Sequence, residues 1–328
     1  MESMVRSVLV CLLTSALVTG CGGQERAAVT EPASVSARPA GTIVFASDGN
    51  RLTAIDVATG RRSSRRIRAV PACGALLLVT GGHIVFTGVV KGLTTAFAVP
   101  LTLDRPPKRL GAGHLFVPSA TDGRVWIAGT DCDRPAMVGV REVAVDGRVT
   151  AESDRRVPGT WVDGAVPGGL IVHRDRTASV WDPRTGAERR LGLDAALGTH
   201  GSLVAGCAED CNQVAIVDTA GGRRVTPRAS GRHHLDPGGA FSPDGSLLAT
   251  GAVADRRWSV ALVDVGSGAP TIVPGSDTGR NYPELGWASS GWLFFRDGRR
   301  IKAYRPGLPR AATLPFRLPR SAAAFTAA

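Results

Sequence analysis

Lysine is nearly missing from this chain. Of 39 basic residues among 328, only Lys91, Lys108 and Lys302 are lysine, and the rest are arginine. Aromatic side chains are sparse at 5 %. No stretch after residue 21 keeps apolar residues on a helical period over 11 or more positions, which excludes a helical bundle. No G-x-S-x-G, P-loop or H-E-x-x-H occurs, so the commonest nucleophile, nucleotide and zinc-protease signatures are absent. No C-x-x-C redox pair occurs either. The only extended apolar run, Val8 to Val18, is too short to span a bilayer with margin. What the chain does hold is turn formers: 41 glycines and 21 prolines spread along its whole length. Apolar residues at 43 % suffice for a core, and the length suits one large all-β domain or two ordinary ones.

The first 20 residues have the layout of a secretory signal: Arg6, the apolar run, then small residues before a cysteine. The tetrad Val18-Thr19-Gly20-Cys21 resembles the lipobox of bacterial lipoproteins, departing from it in Val where Leu is commoner. That resemblance implies that residues 1–20 are a signal peptide. It also implies that Cys21 is diacylated as the first residue of the mature chain, lipid-anchored at the cell membrane on its extracytoplasmic face. The other reading is an ordinary secretory signal with a chance cysteine. Arginine in place of lysine, with abundant Ala, Gly and Pro, is the composition of a GC-rich coding sequence such as an actinobacterium's.

Residues 22–40 are polar and poor in large apolar side chains, a flexible tether with a coil span of about 24 Å. From Gly41 to residue 328 the pattern changes to short apolar runs bounded by Gly, Asp, Asn and Pro. One strand type recurs, marked by Ile43, Ile84, Val125, Leu170, Leu203, Leu247 and Leu293, at spacings of 41, 41, 45, 33, 44 and 46. Behind it recurs an aspartate-led turn at Asp56, Asp182, Asp218 and Asp264, each followed by a glycine four residues on. Aspartate accepts backbone N–H bonds and glycine supplies the positive φ. The period, with four strands each, is that of a propeller. The combination resembles TolB-like and WD-repeat propellers, including the bacterial YVTN type, over residues 41–328; it lacks the regular Gly-His and Trp-Asp pairs, of which only Trp181-Asp182 is present.

The expected fold is therefore all-β: a seven-bladed propeller of four-stranded antiparallel blades. Two stacked sandwiches, or another blade number, are the rival readings. Blade one lacks an innermost strand, and Ser321 to Thr326 resembles Gly239 to Ser242, which is read as an innermost strand. The C-terminus is expected to supply the missing strand and close the ring; a frayed tail or short helix is the alternative. Blades converge at the axis, so inner segments are expected to be small, as at Ser119-Ala120, Gly164-Ala165, Gly239-Ala240 and Ala322 to Ala324.

Cys73, Cys132, Cys207 and Cys211 remain after the signal and Cys21, an even number in an oxidising compartment. C-x-x-x-C at Cys207 and Cys211 suits a small disulfide clamping a loop of blade five, since a zinc site would need two further ligands there. Cys73 and Cys132 fall on the same face of adjacent blades and form the second expected disulfide. That face also collects residues placed before inner strands: His114, Trp161, His200, His233, His234 and Tyr282, a candidate ligand funnel. Adjacent histidines on a loop point apart, so no metal is assigned to His233-His234, and no cofactor is called for. Paired arginines such as Arg65-Arg66, Arg189-Arg190 and Arg223-Arg224 guard outer strand edges or draw the protein to an anionic envelope surface. The net charge of +11 is unchanged by loss of residues 1–20, which removes Glu2 and Arg6 together. An exported protein does not meet nucleic acid, so that partner class is set aside. The function expected is non-catalytic: binding a protein, peptide or envelope polymer through one loop face. The alternative is a propeller-type hydrolase or lactonase acting at the funnel, for which no catalytic residues are read.

Overall fold

A computed structural model describes residues 38–47, 51–67, 77–91, 93–113, 115–129, 138–159, 161–228 and 232–328. The signal, Cys21 and all of the tether before Arg38 lie outside these residues, as do His114, Cys73 and Cys132. Among the described residues there are 28 strands in seven antiparallel sheets of four, and no helix.

Blade one pairs Ala322–Ala327 with Thr42–Ser47, Arg51–Asp56 and Arg62–Arg66. Blade two is Leu78–Thr80, His83–Val90, Leu93–Pro100 and Lys108–Ala112; blade three is Leu115–Pro118, Arg124–Ala128, Val138–Ala144 and Val149–Arg156. Blade four holds Trp161–Val166, Gly169–Arg174, Thr177–Trp181 and Glu188–Leu193. Blade five holds Ala195–His200, Leu203–Ala208, Gln213–Asp218 and Arg224–Val225. His234–Phe241, Leu247–Ala254, Arg257–Asp264 and Pro270–Ile272 form blade six. Leu285–Trp287, Leu293–Asp297, Arg300–Tyr304 and Ala312–Arg317 form blade seven. Within each blade the order given runs from the axis outward. All seven marker residues fall in second strands.

The apolar runs follow from this stacking. Each blade is covered on both faces, so its middle strands are apolar at successive positions rather than alternate ones. In Gly169–Arg174, Leu170 and Val172 pack toward blade three while Ile171 packs toward blade five. All three are nearly inaccessible, and each contributes about 1.5–3 kcal/mol of burial. Seven apolar clusters result, one at each junction between blades. The cluster between blades seven and one contains Ala322 and Ala327 of the C-terminal strand beside Ile43 and Phe294. That strand is in register with the second strand of its blade, Ile43 opposite Ala327 and Phe45 opposite Phe325, and closes the ring.

Close approach near the axis explains the small inner residues. A Cβ on Gly164 would lie 2.7 Å from Thr199 Cγ2, and one on Gly198 2.7 Å from the Gly239 carbonyl oxygen. Ser119 and Ala120 differ from expectation: the inner strand of blade three ends at Pro118, and they form the turn after it.

The paired arginines have a use not read from sequence. Arg65 donates to the Leu103 carbonyl across the first junction at 2.8 Å, and Arg189 to that of Thr219 across the fourth at 2.9 Å. Arg223 reaches the Gly266 carbonyl of blade six. Ser153 makes the same reach to Pro183 at 2.6 Å. The Arg62 guanidinium lies 5.9 Å from the centre of the Phe316 ring, joining blades one and seven. These groups tie the outer part of one blade to its neighbour.

Candidate functional site

The ring has two unlike ends. At the turn end, innermost strands turn into second strands and third into outer. At the hairpin end lie the second-to-third hairpins and the links between blades.

The aspartate-led turns all sit at the turn end. Asp56 Oδ1 accepts the Thr59 hydroxyl and N–H, both at 2.7 Å, and Gly60 follows at φ +69°. Asp218 accepts the Ser202 hydroxyl at 2.7 Å, and Asp264 the Ser267 N–H at 2.6 Å. These hydrogen bonds hold the carboxyl groups below the usual carboxylate range, led by the hydroxyls of Thr59, Ser202 and Ser267. Asp244 carries the effect furthest. The hydroxyl of Ser242, then the N–H and hydroxyl of Ser246, hold its pKa at about 2.

Sequence reasoning placed six funnel residues on one face. Trp161 opens the inner strand of blade four, His234 begins that of blade six with His233 just before it, and Tyr282 lies in the link from blade six to seven. These four share the hairpin end. His200 does not: it closes the inner strand of blade five and stands at the turn end. The cause is the shortness of blade four, with only Asp194 between its outer strand and the next inner strand. That single residue hid the start of Ala195–His200.

At the hairpin end three inner strands break register. Extra residues fall at Asp163 in blade four, Leu197 in blade five and Asp236 to Gly238 in blade six. A bulge re-aims a side chain and ends regular pairing. Asp163 Oδ2 is buried with no hydrogen-bond partner among the described residues. Burial raises its pKa to about 6, against the opposing pull of the nearby His173 imidazole. Asp236 Oδ1 accepts the Gly238 N–H at 2.8 Å and the Tyr282 hydroxyl at 3.1 Å. The Tyr282 ring meets Trp258 edge-on, 5.0 Å between centres. Burial, and then the Asp236 charge, push the Tyr282 phenol above its ordinary value. A groove of about 510 Å³ between blades five and six is lined by Gln213, Arg228, His234 and Leu235 among others.

Cys207 and Cys211 form a disulfide, with Cα atoms 4.5 Å apart, in the hairpin of blade five. Cys211 N–H donates to Asp194 Oδ2 at 3.2 Å, which ties that hairpin to the one-residue link.

Apolar exposure is lopsided. Of the six large apolar side chains exposed among the described residues, Val89, Leu93, Trp161 and Tyr282 stand at the hairpin end and Leu197 sits in an inner-strand bulge; Val149 alone belongs to the turn end. Trp161 and Tyr282 are 43 % and 44 % exposed, high for rings of that size. Among the described residues no three His, Cys, Asp or Glu side chains group as metal ligands. Asp163 and Asp236 were missed by sequence reasoning. The signal for Asp163 was a lone charge inside the small, apolar run Trp161 to Val166.

No family model matches the chain, and no curated protein does. Solved structures do. A functionally unknown protein from Desulfotomaculum acetoxidans DSM 771 superposes with a TM-score of 0.54 at 12 % identity, covering 88 % of this chain and 99 % of that one. Apo AztD from Citrobacter koseri gives 0.52 at 13 % identity, with 88 % and 98 % covered. The acylaminoacyl peptidase of Pyrococcus horikoshii gives 0.55 at 12 %, covering 81 % of this chain and 48 % of the peptidase, so the chain spans about half of that enzyme. Likeness at such identities shows the propeller fold alone.

Proposed function

We propose that this chain is an extracytoplasmic lipoprotein, anchored through diacylated Cys21, whose propeller binds a protein or peptide partner at its hairpin end. The observation that carries the binding role is the gathering of Trp161, Tyr282, Leu93, Val89 and Leu197 at or near that end. Singly exposed apolar residues are ordinary, but four of the six exposed among the described residues stand at one end of the ring, and two of them are the aromatic rings that partner surfaces favour. The anchor rests on Val-Thr-Gly-Cys after an apolar run of signal length. Two or three acyl chains meet the need for stable anchoring that one chain does not.

Two measurements test the two halves. Cys21→Ser is expected to move the protein from the membrane to the soluble fraction; retention in the membrane would end the lipoprotein reading. Trp161→Ala with Leu197→Ser is expected to abolish crosslinked capture of the partner from native membranes without altering the melting temperature. Undiminished capture would remove the hairpin end as the partner surface.

Asp163 is the observation that favours the second reading, a propeller-type hydrolase. A carboxyl group with a pKa of about 6 suits proton transfer near neutral pH. Hydrolysis of simple esters or lactones that disappears in Asp163→Asn would establish it.

A further inference from the structure

The turn end of the axial channel holds a cavity of about 780 Å³, lined by residues from all seven blades. That volume falls within the roughly 300–1,000 Å³ of small-ligand sites. Its lining departs from the rest of the molecule in charge. The chain carries 39 basic residues, yet among the described residues no lysine or arginine lines this cavity. Its side-chain carboxylate, Asp122, is already engaged by Gly81 N–H at 2.7 Å and the Thr80 hydroxyl at 3.0 Å.

What remains is an aromatic wall and neutral polar groups. Trp287 is held in place by its indole N–H, which donates to the Ala240 carbonyl at 2.9 Å. Beside it, His200 packs against Phe241 with ring centres 6.3 Å apart. Gly245 makes room for the imidazole, since a Cβ there would lie 2.8 Å from His200 Cδ2. Thr42, Thr199 and His200 bring two hydroxyls and an imidazole to the lining, groups able both to donate and to accept hydrogen bonds.

We propose that this cavity binds a neutral carbohydrate. A sugar ring presents a C–H face that packs on an aromatic wall and a rim of hydroxyls that both donate and accept. An anionic ligand would find no cation here. A purely apolar one would strip water from Thr42, Thr199 and His200 without replacing its hydrogen bonds, at about 1–3 kcal/mol each. An extended peptide needs free backbone partners, but the backbone at this end is closed into turns, as in Ser242 N–H to the Leu247 carbonyl and Ala288 N–H to that of Trp292. This site is at the opposite end of the ring from the partner surface proposed above and does not depend on it.

The test is titration of the intact chain with maltotriose, cellotriose and mannotriose, beside tri-galacturonate and trialanine, followed by tryptophan fluorescence and calorimetry. Saturable binding of at least one neutral trisaccharide is expected, weakened about tenfold or more, some 1.4 kcal/mol, by Trp287→Leu and by His200→Ala. Thr199→Val, nearly isosteric, guards against loss of fold in the first two and is expected to weaken binding while leaving the melting temperature unchanged. Three results would overturn the proposal: no neutral trisaccharide binding, equal or preferred binding of tri-galacturonate or trialanine, or neutral-sugar binding that survives all three substitutions.

Discussion

The turn end and the hairpin end are built from the same strands by opposite means. At the turn end one local solution is repeated: an aspartate that satisfies its own turn, then a glycine at φ +69°, +81°, +69° or +75° at residues 60, 186, 222 and 268. At the hairpin end glycine takes some left-handed positions, such as Gly298 in the hairpin of blade seven, but other residues take most of those in the hairpins. Lys91, Asp175-Arg176, Glu209-Asp210-Cys211 and Asp255-Arg256 all have positive φ there, against Leu103 alone at the turn end. Left-handed backbone costs an L-residue about 1–2 kcal/mol, which glycine avoids. The hairpin end also holds the disulfide, the bulged Asp163 and Asp236, and most of the exposed aromatics. In the two-residue hairpins Asp175-Arg176 and Asp255-Arg256 the left-handed backbone is the one that matches the twist of the flanking strands. The difference teaches that repetition within one chain marks the scaffold, and that the blades of this ring differ from one another mainly at one end.

The comparison breaks first at closure, which both ends need. Deleting residues 319–328 removes the strand that pairs with Thr42–Ser47 and opens the cluster between blades seven and one. The loss should reach several kcal/mol, comparable to the whole net stability of a domain. Aggregation or collapse of the thermal transition is expected in a melting scan; an unchanged melting temperature would falsify closure as a source of stability.

Asp163 sharpens the hairpin side. Its folded pKa of about 6 lies above the ordinary carboxyl value. Between about pH 4 and 6 the folded state therefore keeps a proton that the unfolded state releases. Stability falls as pH rises through that window, and the penalty is complete above it. Asp163→Asn removes the titration. It should stabilise the fold by about 2 kcal/mol at pH 7 and by little at pH 4, as read from denaturant midpoints at the two pH values. An equal effect at both would show that burial of the charge is not the cause.

The smallest effect is the most direct contrast. Gly222 has open space around its α-carbon and φ +69°, so Gly222→Ala adds conformational strain without a clash and should cost about 1 kcal/mol. Arg256→Gly relieves the same strain at φ +61°. It should gain less than about 1 kcal/mol, because glycine also frees the unfolded chain. Matched chemical denaturation of the two variants checks the opposite signs.

Middle strands were legible in the sequence because both their faces are buried. An apolar run every 41 to 46 residues, with one gap of 33, located every second strand. The closing strand was legible from what blade one lacked. Inner strands were harder. They are short, built from small residues and bounded by links as brief as Asp194, so no apolar run marks where Ala195–His200 begins. That is why the sequence pattern places His200 at the hairpin end, whereas it closes its strand at the turn end. Bulges leave no composition signal at all, since one extra residue changes register without changing the pattern. The reach of Arg65 or Arg189 into the next blade joins residues 38 and 30 positions apart, a pairing no local reading could make.

One feature of the closure bears on mechanical load. The chain enters the ring at the turn end, where Ser290 donates to the Ala40 carbonyl at 2.6 Å and Thr42 exchanges backbone hydrogen bonds with Ala328 at 2.9 and 2.8 Å. From there Thr42–Ser47 runs toward the hairpin end, paired on one side with Ala322–Ala327 and on the other with Arg51–Asp56. A pull on Thr42 directed along this strand would load both of its ladders. It would shear two ladders of hydrogen bonds at once instead of peeling one rung at a time, because the strand where the chain enters is also the clasp of the ring.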